Sequence, residues 1–95
     1  MIIRLVKMTF QQERVEDFLE LFEMRKTYIR EFPGCRYLEL LRDGPVFFTY
    51  SHWDNQADLE AYRQSRLFQD TWSKTRQWFA DKPEAWSLER GAMLS

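Results

Sequence analysis

The sequence is poor in the residues that common catalytic and metal sites require. Its 95 residues include one cysteine, Cys35, and one histidine, His52. A single cysteine cannot form an internal disulfide, and it has no second ligand at metal-binding spacing. There is also no glycine-rich phosphate loop and no serine-centred nucleophile elbow. We therefore expect no metal site. The cysteine usage favours a reducing compartment, for which the cytoplasm is the default.

A surplus of one charge and a long apolar run are also missing. The 14 Lys and Arg residues nearly balance the 15 Asp and Glu residues, giving a formal net charge of −1. A nucleic-acid backbone is bound through clustered excess cations, which this chain does not have. No apolar run approaches the roughly 20 residues of a membrane span, and charges interrupt the apolar start, unlike a signal peptide. We expect neither nucleic acid nor membrane as a partner.

Aromatic residues, in contrast, are abundant. They make up 17% of the chain and include four Trp and eight Phe. A single domain spanning residues 1–95 can bury only about two thirds of its unfolded surface. That core cannot easily enclose so many rings, so we expect both a ligand pocket and a buried subunit interface.

Hydrophobic periodicity predicts four strands and three helices. Apolar residues alternate over residues 2–10, 35–42, 46–53 and 85–90, as in strands, and fall at helical spacing over residues 12–32, 55–65 and 67–79. Pro33-Gly34 ends the first helix, and Asp43-Gly44-Pro45 joins two strands in a hairpin. This order predicts an α+β, ferredoxin-like split βαβ fold with a four-stranded antiparallel sheet and helices on one face.

The first strand is apolar on both faces, with Ile3 and Leu5 on one side and Val6 and Met8 on the other. Helices cover only one face of such a sheet. We therefore expect a homodimer in which a second copy covers the other face, sheet against sheet.

The third strand ends at a corner where functional groups are close in sequence. His52 and Trp53 close the strand, and Asp54 or Asn55 can cap the helix that carries Tyr62. Because strand residues alternate between faces, only one of His52 and Trp53 can point toward the helices. We expect a site at this corner.

The segments Phe32-Pro33-Gly34-Cys35, 50–62 and Ser65-Arg66-Leu67-Phe68 together resemble the antibiotic biosynthesis monooxygenase (ABM) domain of the dimeric α/β-barrel superfamily. The resemblance covers nearly the whole chain. It implies relatives that include cofactor-free oxygenases of quinols or polyketide aromatics, haem-degrading enzymes, and members without an assigned activity.

The resemblance also implies which activity is not expected. Haem-degrading relatives carry a site Asn, Trp and His at the positions that are Val6, Tyr62 and Trp72 here. None of the three matches, so haem degradation is not expected. Quinol-type relatives often have a His at the position of Tyr62, where a phenol could still orient or deprotonate a substrate if its pKa were lowered.

Two functional hypotheses follow. The first is a cofactor-independent monooxygenase acting on a small aromatic, phenol or quinol with molecular oxygen. Its catalytic candidates are Tyr62 and His52, and its substrate-binding candidates are Arg4, Tyr50, Trp53, Phe68 and Trp72. The second is a non-catalytic dimeric α/β barrel that binds a small apolar ligand or serves as an interaction module. In that case the same aromatic residues are core, and His52 is a half-exposed strand-end histidine.

Overall fold

The protein folds as a four-stranded antiparallel sheet with helices packed on one face. The computed structural model describes all residues 1–95. The strands are β1 Ile2–Thr9, β2 Cys35–Asp43, β3 Val46–Trp53 and β4 Glu84–Leu88, and the helices are α1 Val15–Arg30, α2 Gln56–Arg63 and α3 Arg66–Thr75. The sheet order β2-β3-β1-β4 is the ferredoxin-like split βαβ arrangement. The predicted fold class is confirmed.

The element ends differ slightly from the predicted ones. The helix predicted over residues 12–32 is a 3-10 turn, Gln12–Arg14, followed by α1, and a second 3-10 turn, Arg76–Trp78, follows α3. Past the end of α1, the Phe32 amide donates to the Ile29 carbonyl at 3.1 Å, a tightened last turn that periodicity does not reveal. None of the helices combines the length and the hydropathy needed to cross a membrane.

Gly34 lies in the turn between α1 and β2 and is hydrogen-bonded to the loop that precedes α2. Its φ of +90° lies in the left-handed region, and its carbonyl accepts a 2.9 Å hydrogen bond from the Asp54 amide. Asn55, one of the two predicted caps, accepts from the Asp58 amide at 2.8 Å through its side chain. A Cβ on Gly34 would collide with the Asp58 side chain, so only glycine fits this junction.

The strand pairings decide which side chains face the helices. In the β1–β3 ladder Ile2 is paired with Trp53, and Met8 with Phe47. Trp53 is 1% exposed and packs with Leu59 of α2, so this row faces the helices. Since side chains alternate along a strand, His52 faces the opposite side of the sheet.

The opposite side, which we call the open face, has many apolar side chains. Here Tyr37 is paired with His52, Leu41 with Phe48, Trp86 with Leu5 and Leu88 with Ile3. Several of its large side chains are strongly exposed: Tyr37 42%, Leu41 44%, Trp86 39% and Leu88 42%. No element of the chain packs over them as the helices pack over the other face.

Candidate functional site

A cavity of about 340 Å³ lies between the helix-covered face of the sheet and the three helices. Its floor includes Val6 and Met8 of β1 and Trp53 of β3, and its walls include Tyr62 of α2 and Trp72 of α3. The volume falls at the lower end of the range for small-molecule sites, which are typically apolar with a few polar groups. The cavity therefore has the size and the lining that are typical of a small-ligand site.

Four aromatic rings form a continuous wall of the cavity. Trp53 stacks on Tyr62 with ring centroids 4.9 Å apart, and Tyr62 meets the edge of Phe68 at 5.2 Å. Phe68 and Trp72, one turn apart on α3, lie nearly parallel with centroids 5.7 Å apart. Such a wall offers flat faces against which an aromatic ligand can stack.

Ser65 fixes the direction of α3 and therefore the positions of Phe68 and Trp72. Its hydroxyl accepts a 3.1 Å hydrogen bond from the Phe68 amide and donates at 2.6 Å to the Tyr62 carbonyl. Ser65 is therefore the N-cap of α3, and it joins two short helices at a defined angle. This cap connects the two halves of the aromatic wall.

The Tyr62 hydroxyl is the main polar group of the wall. Burial, and secondarily the nearby Cys35, raises the pKa of Tyr62 well above its ordinary value, and no hydrogen bond to a protein group offsets this shift. The phenol therefore stays protonated at neutral pH. It can donate a hydrogen bond to a ligand, but it is not a base, which corrects the expectation that it could deprotonate a substrate.

A second hydroxyl in the cavity lacks a partner. The Oγ1 atom of Thr71 is buried without a hydrogen bond, although Thr71 lines the cavity. One turn later, Thr75 Oγ1 donates to the Thr71 carbonyl at 2.8 Å, so the Thr75 hydroxyl has a hydrogen-bond partner within the helix. Buried polar atoms are rarely left unpaired, and Thr71 is one of three residues in this chain with such an atom.

Five of the seven predicted site residues line the cavity: Arg4, Trp53, Tyr62, Phe68 and Trp72. The other two, His52 and Tyr50, lie on the open face, where their ring centroids are 5.1 Å apart. The expected convergence of His52 and Tyr62 on one corner is wrong, since the sheet separates them. Of the two alternatives for the strand end, Trp53 is the residue that faces the helices.

His52 has a different environment from Tyr62. Its ring lies 5.0 Å from that of Tyr37 as well, and its Nε2 atom is buried without a hydrogen bond. Burial, followed by repulsion from Arg90, lowers the pKa of His52. The histidine is therefore neutral on the open face at neutral pH.

Sequence reasoning missed several polar cavity residues, among them Thr71, Ser51 and Arg63. Ser51 shares the face of Trp53 and accepts a 3.0 Å hydrogen bond from the indole nitrogen of Trp53. Its place follows from strand alternation once the direction of Trp53 is known. Thr71 is one turn from Phe68 and Arg63 directly follows Tyr62, but exposed and inward positions of short helices look alike in sequence.

The comparisons with known proteins agree with this architecture. The family model described as antibiotic biosynthesis monooxygenase matches residues 1–74. The chain belongs to this family. The matched segment contains β1 to α3 and thus all five predicted residues that line the cavity. The predicted ABM resemblance is confirmed. No curated protein sequence matches the chain closely enough to count as a relative.

Solved ABM-like structures share the whole fold. A crystal structure of an antibiotic biosynthesis monooxygenase is 15% identical, covers 97% of this chain and 100% of its own, and has a TM-score of 0.91. Rv0793 from Mycobacterium tuberculosis is 14% identical, covering 99% and 98%, with a TM-score of 0.90. A variant of SnoaB, a cofactor-independent oxygenase from Streptomyces nogalater, is 14% identical, covering 98% and 95%, with a TM-score of 0.86. At this identity the likeness shows the fold alone.

Proposed function

We propose that this ABM-family protein is a cofactor-independent monooxygenase of a small aromatic, phenol or quinol. The observation that supports the proposal is a cavity with an aromatic wall that contains the hydroxyls of Tyr62 and Thr71, neither of which bonds to the protein. SnoaB, which shares the fold, is described as a cofactor-independent oxygenase. Free, buried Cys35 fits the reducing cytoplasm as its compartment.

In this reaction the organic substrate supplies all the electrons and molecular oxygen accepts them. When an aromatic CH₂ group next to a phenol ring loses a proton, the resulting anion can give electrons directly to oxygen. One oxygen atom becomes the new carbonyl oxygen, and the other leaves as water with the two hydrogens of the CH₂ group. The protein has to supply a dry pocket and stabilisation of the anion.

Tyr62 has the central role in this proposal. Because its phenol remains protonated, it donates a hydrogen bond to the substrate oxygen on which negative charge develops. Stabilising that anion lowers the pKa of the substrate, and the proton is released to water. His52 has no catalytic role, because it lies across the sheet from the cavity.

The direct test is an oxygen-uptake assay with a panel of quinols and anthrone-like phenols. We expect turnover without added metal or flavin, and one labelled oxygen atom in the product when ¹⁸O₂ is supplied. Transfer of label from ¹⁸O water instead of ¹⁸O₂ would contradict a monooxygenase. The test is independent of which residue acts, so it precedes any variant.

The alternative, a non-catalytic barrel that binds a small apolar ligand, is favoured by one feature of the cavity. The cavity contains no histidine, and its phenol has a raised pKa, so almost none of it is present as the phenolate that could act as a base at neutral pH. Binding of the same aromatic compounds without oxygen uptake by any of them would favour this second function.

We propose that haem is not a substrate. Val6, Tyr62 and Trp72, which stand where haem-degrading relatives place Asn, Trp and His, all line the cavity. We expect the Soret band of added haem to persist when a reductant is present. Its loss with release of iron, in the presence of catalase to remove peroxide, would contradict this expectation.

We also propose that two copies pack through their open faces to form a homodimer. The exposed large apolar side chains of β2 and β4 support this arrangement, because clustered exposed apolar side chains often mark a protein–protein interface. The helix-covered cavity of each copy then lies on the outer side of the joined sheets, away from the interface.

A further inference from the structure

Two guanidinium groups belong to the lining of the cavity, one from Arg4 of β1 and one from Arg63 at the end of α2. Arg63 donates to the Glu60 carboxylate at 2.8 Å. Arg4 donates at 2.9 Å to the hydroxyl of Ser87 on β4, which is neutral, and forms no ion pair. Two cations therefore share one carboxylate, and one positive charge is uncompensated.

No other carboxylate of the lining compensates Arg4. Glu84 also borders the cavity, but its carboxylate lies 4.0 Å from the ammonium group of Lys7. Burial lowers the pKa of Arg4, and repulsion from Arg63 adds to this effect more than attraction by Glu60 opposes it. Arginine nevertheless stays protonated at physiological pH, so the charge must be met by something outside the protomer.

A second copy of the chain cannot easily meet that charge. Arg4 is paired with Ser51 on β3 and with Ser87 on β4, all on the helix-covered face. A partner that packs on the open face contacts the opposite side of the sheet. The charge of Arg4 therefore lies on the side of the sheet that forms the cavity.

We propose that the ligand of this cavity is an aromatic molecule that carries an anionic oxygen group, of which a carboxylate is the simplest. The anion binds at Arg4 and Arg63, while the ring lies against the wall formed by Trp53, Tyr62, Phe68 and Trp72. The planar guanidinium of Arg4 suits a carboxylate, and the apolar wall strengthens the attraction by excluding water. This inference rests on the proposed function only in naming the class of substrate for the same cavity.

The test uses two compounds that differ by the charged group: 1-naphthol, neutral at pH 7, and 1-hydroxy-2-naphthoate, an anion. Calorimetric titration of the protein at low salt is expected to show binding of the anion about tenfold tighter or more, as for a charge-assisted hydrogen bond. Added salt should weaken the binding of the anion and leave that of the neutral compound nearly unchanged.

Variants identify the groups that produce the preference. Arg4→Met should remove most of the tenfold advantage of the anion while 1-naphthol binds as before, and Arg4→Lys should restore part of it. Arg14→Met is the matched control, because Arg14 pairs with Asp17 at the start of α1 and does not line the cavity. Thermal unfolding of each variant confirms that it is folded.

Three results would overturn the inference: equal affinity for the two compounds, no binding of either, or a preference for the anion that survives in Arg4→Met. Each is distinct from failure of the oxygenase proposal. Turnover of neutral quinols without a preference for anions would leave that proposal intact and remove this one. A preference for the anion without any oxygen uptake would support this inference and contradict the oxygenase proposal.

Discussion

Two clusters of aromatic rings lie on opposite faces of β3. The adjacent residues Trp53 and His52 belong to different clusters. On the helix-covered face, Trp53 stacks on Tyr62 at 4.9 Å. On the open face, His52 lies between Tyr37 at 5.0 Å and Tyr50 at 5.1 Å. Each cluster holds one titratable group of functional interest, and burial keeps both neutral by raising the pKa of Tyr62 and lowering that of His52.

The difference lies in what completes each cluster. The Trp53–Tyr62 cluster lies under α2 and α3 of the same chain and lines a cavity of about 340 Å³. The cluster of Tyr37, Tyr50 and His52 is covered by nothing in the protomer, and Tyr37 is 42% exposed. In the proposed function, a small ligand completes the first cluster and a second copy of the protein completes the second. One sheet then separates the proposed chemistry from the proposed assembly.

The largest effect expected from this comparison concerns assembly. Light scattering at micromolar concentration should show a dimer for the unaltered protein. Tyr50→Glu should convert it to a monomer and weaken dimerisation on the order of a thousandfold, because an unpaired carboxylate would be buried at the centre of the open face. Size-exclusion chromatography with light scattering measures both states.

The control for this prediction places the same charge elsewhere. Met24 is 67% exposed on α1, away from the open face, so Met24→Glu should remain dimeric. A monomeric unaltered protein, or dissociation of both variants alike, would show that the open face is not the interface.

The next effect concerns the cavity. Tyr62→Phe keeps the ring stack with Trp53 but removes the hydroxyl, so turnover should fall about a hundredfold, as when one donor to a developing oxyanion is lost. His52→Ala, on the other face, should retain the turnover of the unaltered dimer. The quantity to compare is kcat/KM from oxygen uptake. Undiminished turnover in both variants would remove the site assignment.

The sequence predicts the fold far better than the site. A run of aromatic and β-branched residues that ends at Trp53 predicts a strand over residues 46–53, and these are the bounds of β3. The reason is that alternation and turn residues are local signals, and here they agree with the global topology. Residue pairs such as Phe68 and Trp72 were also predicted together, since both lie on the inner side of one helix.

Local sequence does not show which face of a strand is covered by helices. For this reason only some of the predicted site residues line the cavity. Alternation shows that His52 and Trp53 point to opposite sides, but both sides of β3 are apolar, with Phe47 on one and Phe48 on the other. Which side receives the helices is decided by the whole chain. Trp53 therefore lines the cavity, whereas His52 and Tyr50 do not. No short segment of the sequence contains the reason for this difference.

An intermediate effect on stability is expected at Gly34, which positions α2 and hence Tyr62. Gly34→Ala should lower the free energy of unfolding by about 2–3 kcal/mol, since a side chain is strained at positive φ and would collide with Asp58. Gly44, in the β2–β3 hairpin, also has positive φ but nothing within 4 Å, so Gly44→Ala should cost only about 1–2 kcal/mol. Chemical denaturation measures both values, and equal losses would show that the contact with Asp58 adds nothing.

The smallest expected effect is a pH dependence that comes from the open face. Burial between the aromatic rings, and then Arg90, hold the pKa of His52 below the ordinary value of 6.5, so the folded protein binds this proton less readily than the unfolded chain. The stabilisation is therefore fully present above about pH 6.5 and is lost as the pH falls from there through the lower folded value. The carboxylate of Glu39, on the neighbouring strand, is bonded to the Tyr37 hydroxyl at 3.2 Å, and no acidic group bonds to His52 itself. Thermal unfolding between about pH 5 and pH 8 should show a shallower decline for His52→Gln than for the unaltered protein, because glutamine does not titrate. Identical declines would mean that the free energy of protonating His52 is the same in the folded and unfolded states. In that case the open face would not disfavour the charged imidazole.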